Sequence, residues 1–483
     1  MKKILFVTSE AVPFLKTGGL ADVTGSLPKY FDKKKYDVRV ILPKYACMEE
    51  SYRSMLRHVS HFYVDLGWRK QYVGIMMAEY EGITYYFIDN EFYFAGDRPY
   101  NHIYEDVEKF AFFSKAVLEA LPVIDFRPDV IHCHDWQTGL VPVYLRTIYQ
   151  DRAFYHNMKA VFTIHNMQFQ GRWKLKAVRD ITGLPERLFT PDKLESYGEV
   201  NYLKGGVIYS DAVTTVSETY AYEITTPDGG DGLDGVMRMC QDKLSGIVNG
   251  IDYGEYNPQS DHSIYYLFSR DDFAEGKKKN KAALQKAMGL NVDESVMLIG
   301  IVSRMTEQKG FALVEYMMDE LLGDGRIQFV VLGTGEARYE NMFRYFAEKY
   351  PGRLSANIMY SEEMAHKIYA SCDAFLMPSQ FEPCGLSQLM SLRYGTVPIV
   401  RETGGLKDTV EAYNEYRHTG TGFSFANYNA HEMRDTILYA LNIFRNHRED
   451  WNALAIRGME KDFSWKTSAQ KYEALYDRLC QEY

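Results

Sequence analysis

The sequence predicts an α/β protein of two doubly wound, Rossmann-like domains. Short β-branched runs alternate with longer stretches of helical apolar spacing, the rhythm of an open parallel sheet covered by helices on both faces. That rhythm pauses once, near residues 246–252, and then restarts. The 483 residues also exceed one domain of roughly 100–200 residues.

The first half carries apolar runs at 4–7, 38–42, 83–88, 130–133, 160–164 and 212–216, each reading as a buried parallel strand. Leu20, Val23, Leu27 and Tyr30 keep helical spacing after the first run. A polar, Lys-rich segment, 271–281, follows the pause. Further strand runs lie at 297–302, 327–332, 357–360, 374–377 and 397–400. Trp465, Ala469, Tyr472, Leu475 and Leu479 mark a closing helix. The expected domains are 1–248, 249–462 and a C-terminal helix, 463–483.

Composition narrows the function classes. The apolar share is 46% and the charged share 25%, which excludes global disorder. A net charge of −10 argues against a nucleic-acid binder, which needs a basic face. No stretch approaches the ~20 apolar residues of a membrane span, and the opening apolar run stops at Thr8 and Glu10, too short for a secretion signal. Six cysteines (47, 133, 240, 372, 384, 480) form no C-x-x-C pair and read as reduced cytoplasmic thiols. Aromatics reach 14%, which permits sugar-facing rings, although a Tyr-rich core and interfaces are the better reading.

The chemistry-bearing residues cluster where strands end. Lys16-Thr17-Gly18-Gly19-Leu20-Ala21-Asp22-Val23 follows the first strand. Its glycines let backbone N–H groups approach an anion, and the next helix aims its positive end there. By spacing alone this is neither a dinucleotide nor a Walker fingerprint, so an ordinary strand–turn–helix is an equal reading. Arg304 and Lys309, five apart after the 297–302 strand, could clamp a diphosphate; alone, a solvated basic loop would be the better reading. Gly333-Thr334-Gly335-Glu336 lacks the third glycine of a dinucleotide site. Glu382, before Pro383, Cys384 and Gly385, sits on a stiff turn at the ligand edge of a sheet. His132-Cys133-His134-Asp135 tempts a metal assignment, yet no further His or Cys pair completes it. A strand end lining a ligand site is the better reading, as it is for His165-Asn166. The Asp228 loop lacks the Glu of a calcium site. Thr-Gly-Gly-Leu occurs twice, at 17–20 and 403–406.

Together these stretches resemble the glycogen and starch synthase family of glycosyltransferases. The matches are 16–23, His134-Asp135-Trp136, 163–166, 248–252, 303–310, 382–386 and 403–410, in the family's order. The resemblance implies the GT-B fold, with a nucleotide sugar held in an interdomain cleft and the C-terminal helix crossing back to the first domain. It implies glucose transfer from ADP-glucose to the non-reducing end of an α-1,4-glucan (glycogen or a maltooligosaccharide) with retention, and no metal or other cofactor. The implied catalytic residues are Glu382, His165 through its backbone carbonyl, Lys309 and Arg304. Donor contacts fall to Lys16, Gly18, Gly19, Asp135, Asn249, Cys384, Gly385, Leu386, Thr403, Gly404 and Gly405. Tyr100, Asp22 and Asn166 are placed on the sugar or acceptor side. Met390 stands where many wider relatives carry a ribose-binding Glu, as the resemblance to this branch implies. A UDP-glucose-using enzyme of the same fold and a non-catalytic glucan-binding scaffold are the rival readings. A Rossmann dehydrogenase is disfavoured, because neither half has its fingerprint.

Overall fold

The computed structural model describes residues 1–481 and divides into two compact units. One spans Met1–Asn249 with the segment from Trp465 onward, and the other spans Gly250–Ser464.

The first unit is built on a nine-stranded sheet. Its strands are β1 (Lys2–Val7), β2 (Tyr36–Pro43), β3 (Arg57–Leu66), β4 (Arg69–Tyr80), β5 (Ile83–Asp89), β6 (Val130–His134), β7 (Lys159–Ile164), β8 (Ala212–Thr215) and β9 (Leu244–Gly246). The spatial order is β9-β8-β7-β6-β1-β2-β5-β4-β3. Seven strands pair in parallel, whereas β4 runs antiparallel to both β5 and β3. The antiparallel hairpin corrects the all-parallel expectation. Its outer positions are polar or aromatic (His61, Tyr63, Asp65, Lys70), so it lacks the unbroken apolar run that betrays a strand buried on both faces. In contrast, Ile4, Leu5, Phe6 and Val7 are all fully buried. A small antiparallel sheet forms from Arg172–Lys174, Glu195–Ser196 and Glu199–Asn201.

The helix Trp465–Gln481 packs on this first unit. Trp465, Tyr472 and Tyr476 are buried, and Asp477 binds both Lys2 Nζ (2.5 Å) and the Tyr36 hydroxyl (2.6 Å). Glu473 accepts from the Asp32 amide at 2.8 Å. These contacts fix the returning helix, whose apolar i, i+3, i+4 stripe would otherwise face water.

The second unit carries a six-stranded, wholly parallel sheet in the order β12-β11-β10-β13-β14-β15. The strands are β10 (Met297–Val302), β11 (Ile327–Leu332), β12 (Leu354–Asn357), β13 (Ala374–Met377), β14 (Val397–Arg401) and β15 (Phe423–Phe425). The run expected as a strand at 357–360 is corrected to β12, whose Leu354 pairs beside Phe329. The Lys-rich segment folds into the helix Phe273–Ala287, with Lys277 and Lys281 turned inward. Lys281 pairs with Asp373 at 2.7 Å, and Lys277 donates to Thr396 Oγ1 at 2.6 Å.

Strand order reverses between β1 and β6 in the first unit and between β10 and β13 in the second. In open α/β sheets, ligands bind outside the carboxyl ends of the strands at these points. Among the described residues, no helix is long and apolar enough to cross a membrane.

Candidate active site

In the first unit the loop after β1 is held from beneath by Glu10. This buried carboxylate accepts the Thr17 amide (2.5 Å), the Thr17 hydroxyl (2.9 Å) and the Tyr100 hydroxyl (3.0 Å). Burial raises its pKa, and the Thr17 and Tyr100 donors oppose that rise. The Tyr100 hydroxyl also lies 2.7 Å from Ser9 Oγ. Tyr100 is therefore tied to the loop's foundation, and Glu10, which the motif reading passed over, is its centre. Gly18 stands at the N-cap of the helix Gly19–Ser26 in extended backbone, with no side-chain cap. A Cβ there would meet nothing within 4 Å. The first amides of the helix thus lack a protein side-chain acceptor at the cap, the arrangement that suits an anion. Lys16 Nζ lies 2.9 Å from Asp22 Oδ1, so these two expected site residues form one ion pair.

Across the switch point, Asp135 follows β6 with φ +58 and ψ 178. A non-glycine residue in this region carries about 1–3 kcal/mol of strain, which persists only where surrounding contacts enforce it. Here the Asp135 amide donates to Thr163 O at 3.0 Å and its Oδ1 accepts the His165 amide at 2.7 Å. Burial pushes its pKa up to about 7, opposed by the His165 and Asn166 amides. Asn166 Oδ1 caps Gln168 N at 3.0 Å. His134 Nδ1 lies 3.0 Å from His165 Nε2. Asn249, at the end of the first unit, is buried with no hydrogen-bond partner for Oδ1. Among the described residues, no group of three or more His, Cys, Asp or Glu is arranged to hold a metal.

In the second unit three sequence motifs converge at the carboxyl ends of β10, β13 and β14. Glu382 is buried, and its Oε2 accepts Lys309 Nζ at 2.6 Å and Ser379 Oγ at 3.0 Å. Lys309, expected on a diphosphate, thus first neutralises this carboxylate; its ammonium has three donors, so an anion can share it. Arg304 is exposed on the same loop. The Gly405 amide donates to the carbonyls of Glu382 and Pro383, both at 3.1 Å. Gly404 has φ +44, and a Cβ there would sit 1.9 Å from Glu382 O. The second Thr-Gly-Gly copy therefore presses its backbone directly onto the Glu382 turn. Thr403 is the N-cap of the helix Gly404–Thr409. Cys384 is buried, Gly385 takes φ +72, and Leu386 caps the helix Ser387–Arg393. The Gly333-Thr334-Gly335 turn braces the Arg304 loop: Met305 N donates to Thr334 O at 2.8 Å, and Glu336 N returns to Met305 O at 2.7 Å.

Two family models cover most of the chain. The starch synthase catalytic domain matches residues 3–239, and glycosyl transferases group 1 matches 284–457. The glycogen synthase of Lachnospira eligens is 64% identical over 99% of this chain and 100% of that protein. The chain belongs to the glycogen and starch synthase family of glycosyltransferases. The glycogen synthase of Desulforamulus reducens, at 49% identity over 99% of this chain and 98% of its own length, extends the family match. The catalytic domain of starch synthase IV from Arabidopsis thaliana, described as bound to ADP and acarbose, matches with a TM-score of 0.90 and 33% identity, covering 100% of this chain and 99% of that one. The fold is accordingly the GT-B type of this family, and the protein is a glycosyltransferase.

Proposed function

We propose that the protein transfers glucose from ADP-glucose to the non-reducing end of an α-1,4-glucan with retention of anomeric configuration. The observation that carries the reading is the buried Glu382–Lys309 pair at the switch point of β10 and β13, held in place by Gly404 and Gly405. The ADP and acarbose of the Arabidopsis starch synthase support an adenine nucleotide and an α-glucan-like acceptor.

Breaking the sugar–diphosphate bond leaves positive charge on the ring and negative charge on the departing ADP. Arg304 and Lys309 of the second unit are the cations we assign to the diphosphate, and Lys16 with the amides at Gly18 and Gly19 forms the anion-facing loop of the first unit. Glu382 stabilises the donor sugar and its transition state. The acceptor hydroxyl attacks the same face that ADP leaves, passing its proton to the departing phosphate. The His165 carbonyl lies beneath the sugar in this reading, with Asp135, Asn166, Asn249 and Asp22 around donor and acceptor. The reaction needs no metal or other cofactor and takes place in the cytoplasm. Incorporation of label from ADP-[14C]glucose into glycogen, with EDTA present and UDP-glucose run beside it, tests the proposal. Faster transfer from ADP-glucose, undiminished by EDTA, is expected. Equal or faster use of UDP-glucose removes the donor assignment, and no transfer from either donor favours the glucan-binding scaffold.

A further inference from the structure

Three histidines line the carboxyl ends of β6 and β7, and they are not satisfied alike. His132 is bonded at both ring nitrogens, Nδ1 to the Tyr476 hydroxyl and Nε2 to Thr163 Oγ1, each at 2.6 Å. His134 stacks on it with ring centroids 4.2 Å apart. His134 Nδ1 meets His165 Nε2 at 3.0 Å, while His134 Nε2 is buried with no hydrogen-bond partner. The Phe6 ring lies 5.1 Å from that imidazole. His165 is half-buried; its amide is held by Asp135, and its Nδ1 has no hydrogen-bond partner among the described residues.

Burial drives all three rings toward the neutral form, His132 and His134 well below the usual range and His165 down to about 3. Each ring then carries one N–H, and a single proton lies between His134 and His165. Two arrangements satisfy that bond. In the first, His134 Nδ1–H donates to His165 Nε2, so His134 Nε2 is a bare acceptor and His165 carries its proton on Nδ1. In the second, His165 Nε2–H donates, and His134 must carry an N–H on Nε2 with no acceptor in reach. A buried N–H without a partner is rarer and costlier than an unfilled lone pair, so the first arrangement wins.

We propose that His134 is a positioning residue that fixes His165 as its Nδ1–H tautomer, so that His165 presents a hydrogen-bond donor at the carboxyl edge of β7. Its value to catalysis rests on the reading above, in which this edge lies beneath the donor sugar; the tautomer itself does not. A hydroxyl meeting this N–H must accept, which sets the direction of its own proton and selects one ligand orientation.

The test is a long-range 1H–15N correlation spectrum of the full chain labelled at histidine ring nitrogens, near pH 7, assigned with His165→Gln. The expected spectrum shows His165 protonated at Nδ1 and bare at Nε2. His134→Gln, whose amide can still donate, keeps that state; His134→Phe, which cannot, moves His165 to the Nε2–H form and lowers kcat/KM for ADP-glucose roughly tenfold, the worth of one hydrogen bond. An Nε2–H His165 in the unsubstituted protein overturns the proposal, as does an unchanged Nδ1–H His165 in a folded His134→Phe variant. A switched tautomer with unaltered kinetics overturns the positioning role. Should the spectra come out as expected in a protein that transfers no glucose, the functional reading fails and the tautomer assignment stands.

Discussion

Gly404→Ala probes the contact on which the second unit's site depends. The new Cβ would fall 1.9 Å from Glu382 O and 2.8 Å from Glu382 C, both backbone atoms that cannot rotate away. Ordinary contact needs more than 3 Å, so one of the two turns must shift by about 1 Å. The left-handed backbone at φ +44 adds roughly 1–2 kcal/mol for a residue with Cβ. Overpacking adds roughly 1–3 kcal/mol. A total near 3 kcal/mol lowers Tm by about 6–12 °C for a unit of this size. Displacing the Glu382 turn by that 1 Å lowers kcat by about a hundredfold even in molecules that stay folded. Differential scanning calorimetry and initial rates with ADP-glucose, taken well below the transition, measure both. A variant with Tm within 1 °C of the parent and unchanged kcat would mean that the Glu382 turn does not depend on this contact.

Three other substitutions test separate parts of the account. Lys309→Met leaves Glu382 buried without its cation and costs about 3 kcal/mol; adding Glu382→Gln recovers most of that stability in urea unfolding while turnover stays lost. Glu10→Gln weakens the charge-assisted hold on Thr17 and is expected to raise KM for ADP-glucose about tenfold with kcat changed only a few-fold, read from initial rates across donor concentration. Lys277 is pushed down to about 7 by burial, whereas unfolded chains hold that proton up to 10.5. Between these values the unfolded state binds more protons, so stability rises with pH through that window. Lys277→Met removes that rise and is at least as stable as the parent at pH 7; urea midpoints at pH 7 and 9 decide it.

The parallel strands were legible because a strand buried on both faces must be apolar throughout, as in Ile4–Leu5–Phe6–Val7. The hairpin of β3 and β4 hid because its outer face alternates with His61, Tyr63 and Lys70, and only pairing with β5 makes it part of the sheet. Lys277 and Lys281 read as solvated charges; their burial depends on Thr396 and Asp373, about a hundred residues away in the chain. The same limit governs the site. Residues just beyond strand ends stood out, since topology places ligands there. The contacts that organise them did not, because Glu10 with Tyr100, His134 with His165, and Gly404 with the Glu382 carbonyl are pairings that no local spacing encodes.

A crystal structure of the protein with ADP shows directly whether the second unit's cations hold the diphosphate. Diphosphate oxygens are expected within about 2.7–3.2 Å of Lys309 Nζ, with Arg304 drawn onto the same group. ADP bound with its phosphates out of reach of Lys309 and Arg304 would contradict that assignment.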